Sequence, residues 1–160
     1  MNGGKLFEED FRLSCKDNVA VTRLYDTLGG QMGVANICDF IVTYFPYTFY
    51  LELKSTSTGT LPLKNISNTQ YTGLLEKSKY KGAECGLIIK YAKYDEHYYV
   101  PIQEVERLKE EGKKSISYKH IKKGKVSVIE FPSELKRTRF KYDFDEFVRR
   151  FRGSEYDNAK

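Results

Sequence analysis

The sequence predicts a single α/β (α+β) domain in which helices flank a β-sheet. Apolar residues recur at every second position in some segments, as in strands, and at every third or fourth position in others, as in helices. These segments alternate along 160 residues without an internal repeat or a linker, and that length suits one domain with a sizeable core. We therefore expect one domain over residues 1–152 and a polar tail, 153–160, that frays.

The first half of the chain is expected to form a helix, a strand, a loop and a hairpin. The helix is predicted over 4–17, with Phe7 and Phe11 on its apolar side. A strand over 19–24 and a loop over 26–36 follow. The hairpin spans 38–56, and its turn lies at Phe45-Pro46-Tyr47, where proline favours a reversal of the chain.

The second half begins with an extended segment at 61–66, after which Ser67 or Asn68 caps a helix running to about Lys79. Later elements are expected at 83–91 (strand), 97–102 (strand), 101–108 (short helix), 126–131 (strand) and 142–151 (helix). Phe144, Phe147 and Phe151 form one stripe on the last helix, so that helix should pack on the core.

Composition excludes several classes of protein. The chain is 40% apolar and 31% charged, which is typical of a folded globular protein and not of a disordered one. No apolar run reaches the roughly 18 residues of a membrane span. The amino terminus leads into a charged segment, so we expect no secretory signal, no membrane partner and a cytoplasmic protein.

Neither zinc nor a nucleotide is expected as a cofactor. Cys15, Cys38 and Cys85 are widely spaced and form no CxxC motif, so they are interpreted as reduced thiols, and only His97 and His120 could join them at a metal. The glycine-rich segment 28–33 is neither GxGxxG nor followed by GK[ST], so it does not predict a phosphate-binding P-loop. A mobile loop or an extended turn is the alternative.

The most informative polar residues lie in the hairpin 38–56. Folding it back brings Asp39 within about one residue of lying opposite Glu52. Glu52 and Lys54 share one face of their strand, while Leu51 and Leu53 face a core. Two carboxylates that meet at an apolar hairpin need a partner, and a divalent cation is a natural one. A solvated strand surface is the simpler alternative for so short a pattern.

Glu8 admits two interpretations. It lies beside the apolar stripe of the first helix. It is either an acid favoured there by the helix dipole or a third carboxylate directed at Asp39 and Glu52. The sequence leaves both open.

The net charge of +5 is concentrated near the carboxyl end. The segment 112–125 carries lysines and no acid, interleaved with Ser, Tyr and His, and a second basic cluster spans 136–141. Such runs are often only solvated surface, but they are also what contacts to a DNA backbone require. The candidate DNA-binding residues are Lys113, Lys114, Lys119, Lys122, Lys123, Arg137 and Arg139.

The order of helix, strand, loop, hairpin with Asp…Glu-x-Lys, helix and strand resembles the PD-(D/E)XK nuclease superfamily. Within it the chain is similar to the RecU-type Holliday junction resolvases. The segments that carry this similarity are Gly4-Lys5-Leu6-Phe7-Glu8-Glu9-Asp10, Cys38-Asp39-Phe40, Glu52-Leu53-Lys54-Ser55-Thr56, Pro62-Leu63-Lys64-Asn65 with Gln70, and Lys114-Ser115-Ile116 with Arg139 and Tyr142.

The resemblance implies a restriction-endonuclease-like core, with a mixed central sheet, and a single nuclease domain. It implies that Asp39, Glu52 and the backbone carbonyl of Leu53 bind Mg²⁺ or Mn²⁺, with Glu8 tuning that metal or binding a second one. Lys54 orients or deprotonates the attacking water, and Gln70 positions a water or phosphate. The implied reaction is paired symmetric nicking of a four-way junction by a homodimer, leaving 5′-phosphate and 3′-hydroxyl ends.

One departure from the family keeps alternatives open. RecU-type enzymes carry a long projecting stalk before the metal-binding Asp, and here the segment 25–37 is short and rich in glycine. A compact chain of this kind would suit a phage or prophage. The alternatives are a PD-(D/E)XK nuclease that acts on duplex or flap DNA, and a DNA-binding module without catalysis.

Overall fold

The computed structural model describes residues 2–25 and 35–160. The predicted glycine-rich loop, 26–36, falls almost wholly outside the described residues. The elements in chain order are α1 (Gly3–Ser14), β1 (Ala20–Arg23), β2 (Phe40–Tyr44), β3 (Tyr47–Thr56), β4 (Thr60–Pro62), α2 (Asn68–Lys77), β5 (Ala83–Tyr91), β6 (Glu96–Pro101), α3 (Ile102–Glu110), β7 (Ser115–Ser117), α4 (Tyr118–Lys122), β8 (Ile129–Glu130), β9 (Ser133–Lys136), β10 (Arg139–Tyr142) and α5 (Phe144–Phe151).

A mixed six-stranded sheet forms the centre, in the order β1-β2-β3-β5-β6-β8. Strands β3 and β5 are parallel, and the other neighbours are antiparallel. Two small antiparallel pairs, β9–β10 and β4–β7, lie outside this sheet. The fold class expected from the sequence is confirmed.

Each face of the sheet is covered by its own apolar core, as side chains that alternate along the strands require. Phe49 and Ile88 join a phenylalanine-rich core with α1 and α5. Leu87 and Ile89, which flank Ile88 on β5, join the other core with α2 and α3. Strand β5 is therefore buried on both faces, as its continuous apolar run predicts.

Helices α2 and α5 follow their sequence signals closely. Helix α5 buries Phe144, Phe147 and Phe151, which confirms the predicted stripe. Ser67 is the N-cap of α2, and its hydroxyl accepts from the backbone N–H of Gln70. No helix among residues 2–25 and 35–160 is both long and apolar enough to span a membrane.

Several carboxyl-terminal elements differ from the sequence predictions, because β7, α4, β9 and β10 were not predicted and β8 is shorter than expected. The predicted strand 126–131 reduces to Ile129–Glu130 because the main chain on either side bonds to other groups. The Ser127 N–H donates to the Glu104 carboxylate, and the Phe131 N–H donates to the His97 carbonyl. The β9–β10 hairpin was not predicted, although Phe140 and Tyr142 alternate with polar residues along β10, and it turns at Arg137, whose φ is +58°.

The tail 153–160 is docked and not frayed. Asp157 is buried and accepts from the Tyr47 hydroxyl at 3.1 Å. The Asn158 N–H donates to Glu84 at 2.8 Å, and the Asn158 amide donates to the Tyr80 carbonyl at 2.7 Å. These polar partners lie far away in sequence, so a polar composition alone gave no sign of the docking.

Candidate active site

The β2–β3 hairpin fixes the position of Asp39. Phe40 pairs with Leu51, so extending that register by one residue places Asp39 opposite Glu52. The Asp39 N–H donates to the Leu51 carbonyl at 3.0 Å. Its carboxylate accepts from the Leu53 N–H at 2.7 Å. The carboxylate is thus held against the backbone of β3, at the strand that carries Glu52.

Glu52 is nearly completely buried, with 3% of its surface exposed. Its Oε1 accepts from Gln70 Nε2 at 2.7 Å and lies 2.9 Å from Lys54 Nζ. Its Oε2 is buried and has no hydrogen-bond partner within the described residues. A buried carboxylate oxygen without a partner is costly, so this atom marks a place where a positive group would be stabilised.

Helix α2 delivers Gln70 to this carboxylate. Gln70 is the third residue of the helix, and its Oε1 accepts from the Ser67 N–H at 3.0 Å, which completes a capping box. The same oxygen accepts from Lys54 Nζ at 3.3 Å. One side chain therefore caps α2, binds Glu52 and orients Lys54.

The electrostatics agree with a place for a cation. Burial and, after it, the charge of Asp39 raise the pKa of Glu52 to about 7, although Lys54 acts in the opposite direction. Glu8 makes a smaller upward contribution to the pKa of Glu52. Burial and the neighbouring carboxylates thus outweigh the effect of Lys54 on Glu52.

The donor set fits a hard divalent cation. In the part of the chain that the structure describes, no three Asp, Glu, His or Cys side chains are grouped to hold a metal ion. Asp39 and Glu52 form a carboxylate pair, and Mg²⁺ needs only one or two carboxylates together with water or backbone oxygens. The unpartnered Oε2 of Glu52 and the carbonyl of Leu53 are suitable oxygen ligands.

Glu8 lies near this site but is bound by Arg23, with which it forms a close ion pair on β1. Glu8 lies beyond the first turn of α1, where an acid would interact favourably with the helix dipole. Within the described residues it also does not form a group of three metal-binding side chains with Asp39 and Glu52. Sequence reasoning missed Arg23 as its partner, although Arg23 follows Val21 at the two-residue spacing of one strand face.

The candidate DNA-binding residues divide into two groups. Lys113, Lys114, Lys119 and Lys123 are exposed and form no ion pair within the described residues, whereas Lys122 lies 3.5 Å from Glu96. In the second basic cluster Arg137 is exposed.

Arg139 differs from the other basic candidates. It pairs with the buried carboxylate of Asp10 and lies 3.1 Å from Glu9. The structure therefore gives Arg139 an internal partner that the sequence did not reveal.

The comparisons with known proteins agree with this fold. A family profile described as RecU, Recombination protein U, matches residues 25–137. No curated protein sequence matches the chain. A solved structure with a similar fold is that of Archaeoglobus fulgidus Hjc, a Holliday junction resolvase from an archaeal hyperthermophile.

The likeness to Hjc has a TM-score of 0.52 at 19% sequence identity, and it covers 73% of this chain and 89% of the other. It establishes a shared restriction-endonuclease-like fold. The RecU match covers well over half of the sequence, including both strands of the hairpin that carries Asp39 and Glu52. The chain therefore belongs to the RecU family.

Proposed function

We propose that this protein is a divalent-metal-dependent endonuclease that resolves four-way DNA junctions by paired symmetric nicks. The observation that carries the proposal is Oε2 of Glu52, which is buried and has no hydrogen-bond partner in the part of the chain that the structure describes. Asp39 directly precedes the neighbouring strand, β2, and Oε1 of Glu52 is 2.9 Å from Lys54 Nζ. Structural ion pairs rarely leave one carboxylate oxygen buried without a partner. RecU membership and the Hjc-like fold support the choice of a recombination nuclease.

In this proposal Asp39, Glu52 and the Leu53 carbonyl hold Mg²⁺ or Mn²⁺. When bound, the ion supplies Lewis-acid stabilisation of the phosphate oxygens as negative charge develops on them. Glu8 acts on the site through its charge, since Arg23 holds its carboxylate.

Side chains of the protein orient the attacking water and stabilise the charge that develops during the reaction. Lys54, held by Glu52 and Gln70, orients the attacking water, and its ammonium offsets the developing charge. The water oxygen bonds to phosphorus as the bond to the 3′-oxygen breaks. One water proton passes to the departing 3′-oxygen, which leaves a 5′-phosphate and a 3′-hydroxyl. Gln70 keeps Lys54 and Glu52 in register during this step.

Two cuts related by symmetry require two sites, so we propose a homodimer with one site in each subunit. Phosphate contacts from the lysines of segment 112–125 would orient the junction arms, with little readout of bases. Arg137 belongs to the proposed contacts, whereas Arg139 supports the hairpin that carries it.

The test compares cleavage of matched four-way, flap and linear DNA in Mg²⁺, with Asp39→Asn as the inactive control. We expect paired nicks in the four-way substrate only, lost in Asp39→Asn while the variant still retards the DNA. Equal cutting of linear DNA would overturn junction specificity. Retardation without cutting by the wild type would show a binding module instead of an enzyme.

A further inference from the structure

A lysine-lined groove lies outside the candidate catalytic cluster of Asp39, Glu52, Lys54 and Gln70. A groove of about 770 Å³ runs between the segment after β4, the start of α2 and the chain that joins α3 to β7. Its lining includes Lys64, Lys109, Lys113, Lys114, Asn68 and Ser115. Neither Asp39 nor Glu52 lines it, so it is distinct from the proposed metal site.

The lining of this groove carries only positive charge. All four lysines are exposed, and none forms an ion pair with a carboxylate within residues 2–25 and 35–160. No Asp or Glu lines the groove. Lys109 Nζ lies 4.1 Å from the centre of the Tyr71 ring, a contact that leaves its positive charge in place. Four lysines that line one groove with no acid in its lining favour a polyanion.

The walls of the groove are fixed by the fold. Strand β4 pairs with β7, with Pro62 opposite Ser115, and the Leu63 N–H donates to the Lys114 carbonyl at 2.9 Å. Lys64 and Lys114, which come from distant parts of the chain, are therefore held on neighbouring segments of the groove lining. Ordered walls reduce the entropy that a ligand must overcome on binding.

The amino end of α2 connects the groove with the catalytic cluster. Asn68 lines the groove, and Gln70, two residues later on the same helical turn, bonds to Glu52 and Lys54. A nucleic-acid strand whose phosphate lies at Lys54 can therefore continue past Ser67 and Asn68 toward the four lysines.

We infer that this lysine groove binds a second stretch of DNA backbone, on the same substrate molecule whose scissile phosphate lies at Lys54. The inference rests on the proposed nuclease function. It adds Lys64 and Lys109 to the DNA-contacting residues and makes the amino end of α2 the bridge between cleavage and arm binding. Flexible exposed amines suit a run of phosphates, which differ little from one nucleotide to the next.

The test removes the two lysines that only this inference assigns. Binding of four-way DNA is measured in EDTA at several salt concentrations for the wild type and for Lys64→Gln/Lys109→Gln. The matched control is Lys77→Gln/Lys81→Gln, which removes the same charge from exposed lysines at and just beyond the other end of α2. Cleavage in Mg²⁺ is measured on the same proteins.

In the groove variant, the negative slope of log affinity against log salt should become shallower by about 2, because two phosphate contacts are lost and each contributes about 0.9 to the slope. Its KM should rise while kcat stays unchanged, and the control should match the wild type. A salt slope equal to that of the control would overturn the inference and leave the nuclease proposal intact. Absence of cleavage by the wild type would instead overturn the nuclease proposal, while the EDTA slopes still decide whether the groove binds DNA.

Discussion

Gln70 Nε2 lies 2.7 Å from Glu52 Oε1, and Oε2 of the same carboxylate is buried with no hydrogen-bond partner among residues 2–25 and 35–160. The amide of Gln70 thus satisfies one oxygen of Glu52, while the other, buried oxygen would be stabilised by a cation.

Mg²⁺ should stabilise the folded protein through Glu52. The raised pKa of about 7 lies above the unfolded value, so Glu52 lowers stability as pH rises from about 4.5 to 7, by up to about 3 kcal/mol. At pH 8 a bound cation would offset this cost. Saturating Mg²⁺ should raise the Tm by roughly 5–10 °C, and Glu52→Gln should abolish the increase.

The control for this prediction is Glu84→Gln. Burial also raises the pKa of Glu84 to about 7, but this carboxylate bonds to the docked tail and lies away from Asp39. The variant should keep the response to Mg²⁺. Thermal unfolding with and without Mg²⁺ measures both, and an equal Mg²⁺ response in Glu52→Gln would show that the ion binds elsewhere.

Gln70 should act as a positioning residue. Gln70→Ala removes a donor to Glu52 and an acceptor for Lys54, so kcat should fall about 10- to 100-fold with a small change in DNA affinity. Ser67→Ala removes only the cap hydroxyl and should cost about 1 kcal/mol of stability with little loss of kcat. Single-turnover cleavage and urea unfolding separate the two effects. Equal kcat values for the two variants would reduce Gln70 to a capping residue.

Glu8 and Arg23 should affect Mg²⁺ in opposite directions. Glu8→Gln removes a negative charge near Glu52, so more Mg²⁺ should be needed for half-maximal cleavage. Arg23→Gln removes the cation that balances Glu8, so less Mg²⁺ should be needed. A titration of cleavage against Mg²⁺ measures both, and shifts of the same sign would indicate only a structural role for the pair.

Arg139 should contribute to stability more than to DNA binding. Arg139→Gln leaves the buried Asp10 carboxylate without its guanidinium partner, which should lower the Tm. Arg137→Gln, in the same hairpin, should leave the Tm almost unchanged and weaken DNA binding in a salt-dependent way. Thermal unfolding and DNA retardation of both variants test the distinction. Weaker DNA binding by Arg139→Gln at an unchanged Tm would restore Arg139 as a phosphate contact.

His97 should make the fold sensitive to acid. Burial lowers its pKa to about 3, and its ring nitrogens lie within hydrogen-bond distance of Ser133 and Tyr142. The unfolded state therefore binds more protons between about pH 6.5 and 3, so stability falls as pH falls through this window, by at most about 5 kcal/mol. His97→Gln should flatten this dependence in urea unfolding.

The control for this effect is the exposed His120→Gln, which should keep the wild-type profile. Comparing each variant with the wild type at the same pH cancels the contribution of the carboxylates. If His97→Gln retained the full acid dependence, other groups would be responsible for it.

Local sequence patterns determined much of the fold. The alternation in 38–56 predicts the hairpin, and its register follows because a shift by one residue would expose Leu51 and Leu53. Ser67 and Gln70, three residues apart, mark the start of α2, and the phenylalanine spacing marks α5. The same patterns placed Asp39, Glu52 and Lys54 together, and their roles in metal binding and cleavage remain predictions.

Only the tertiary structure decided which polar groups are already satisfied. Arg23 reaches Glu8, Arg139 reaches Asp10, and Asn158 reaches Glu84. Each pair joins residues 15 or more positions apart, and local periodicity carries no information about such partners. A carboxylate that is available to a cation therefore has the same sequence signature as one held by arginine, and only packing distinguishes Glu52 from Asp10.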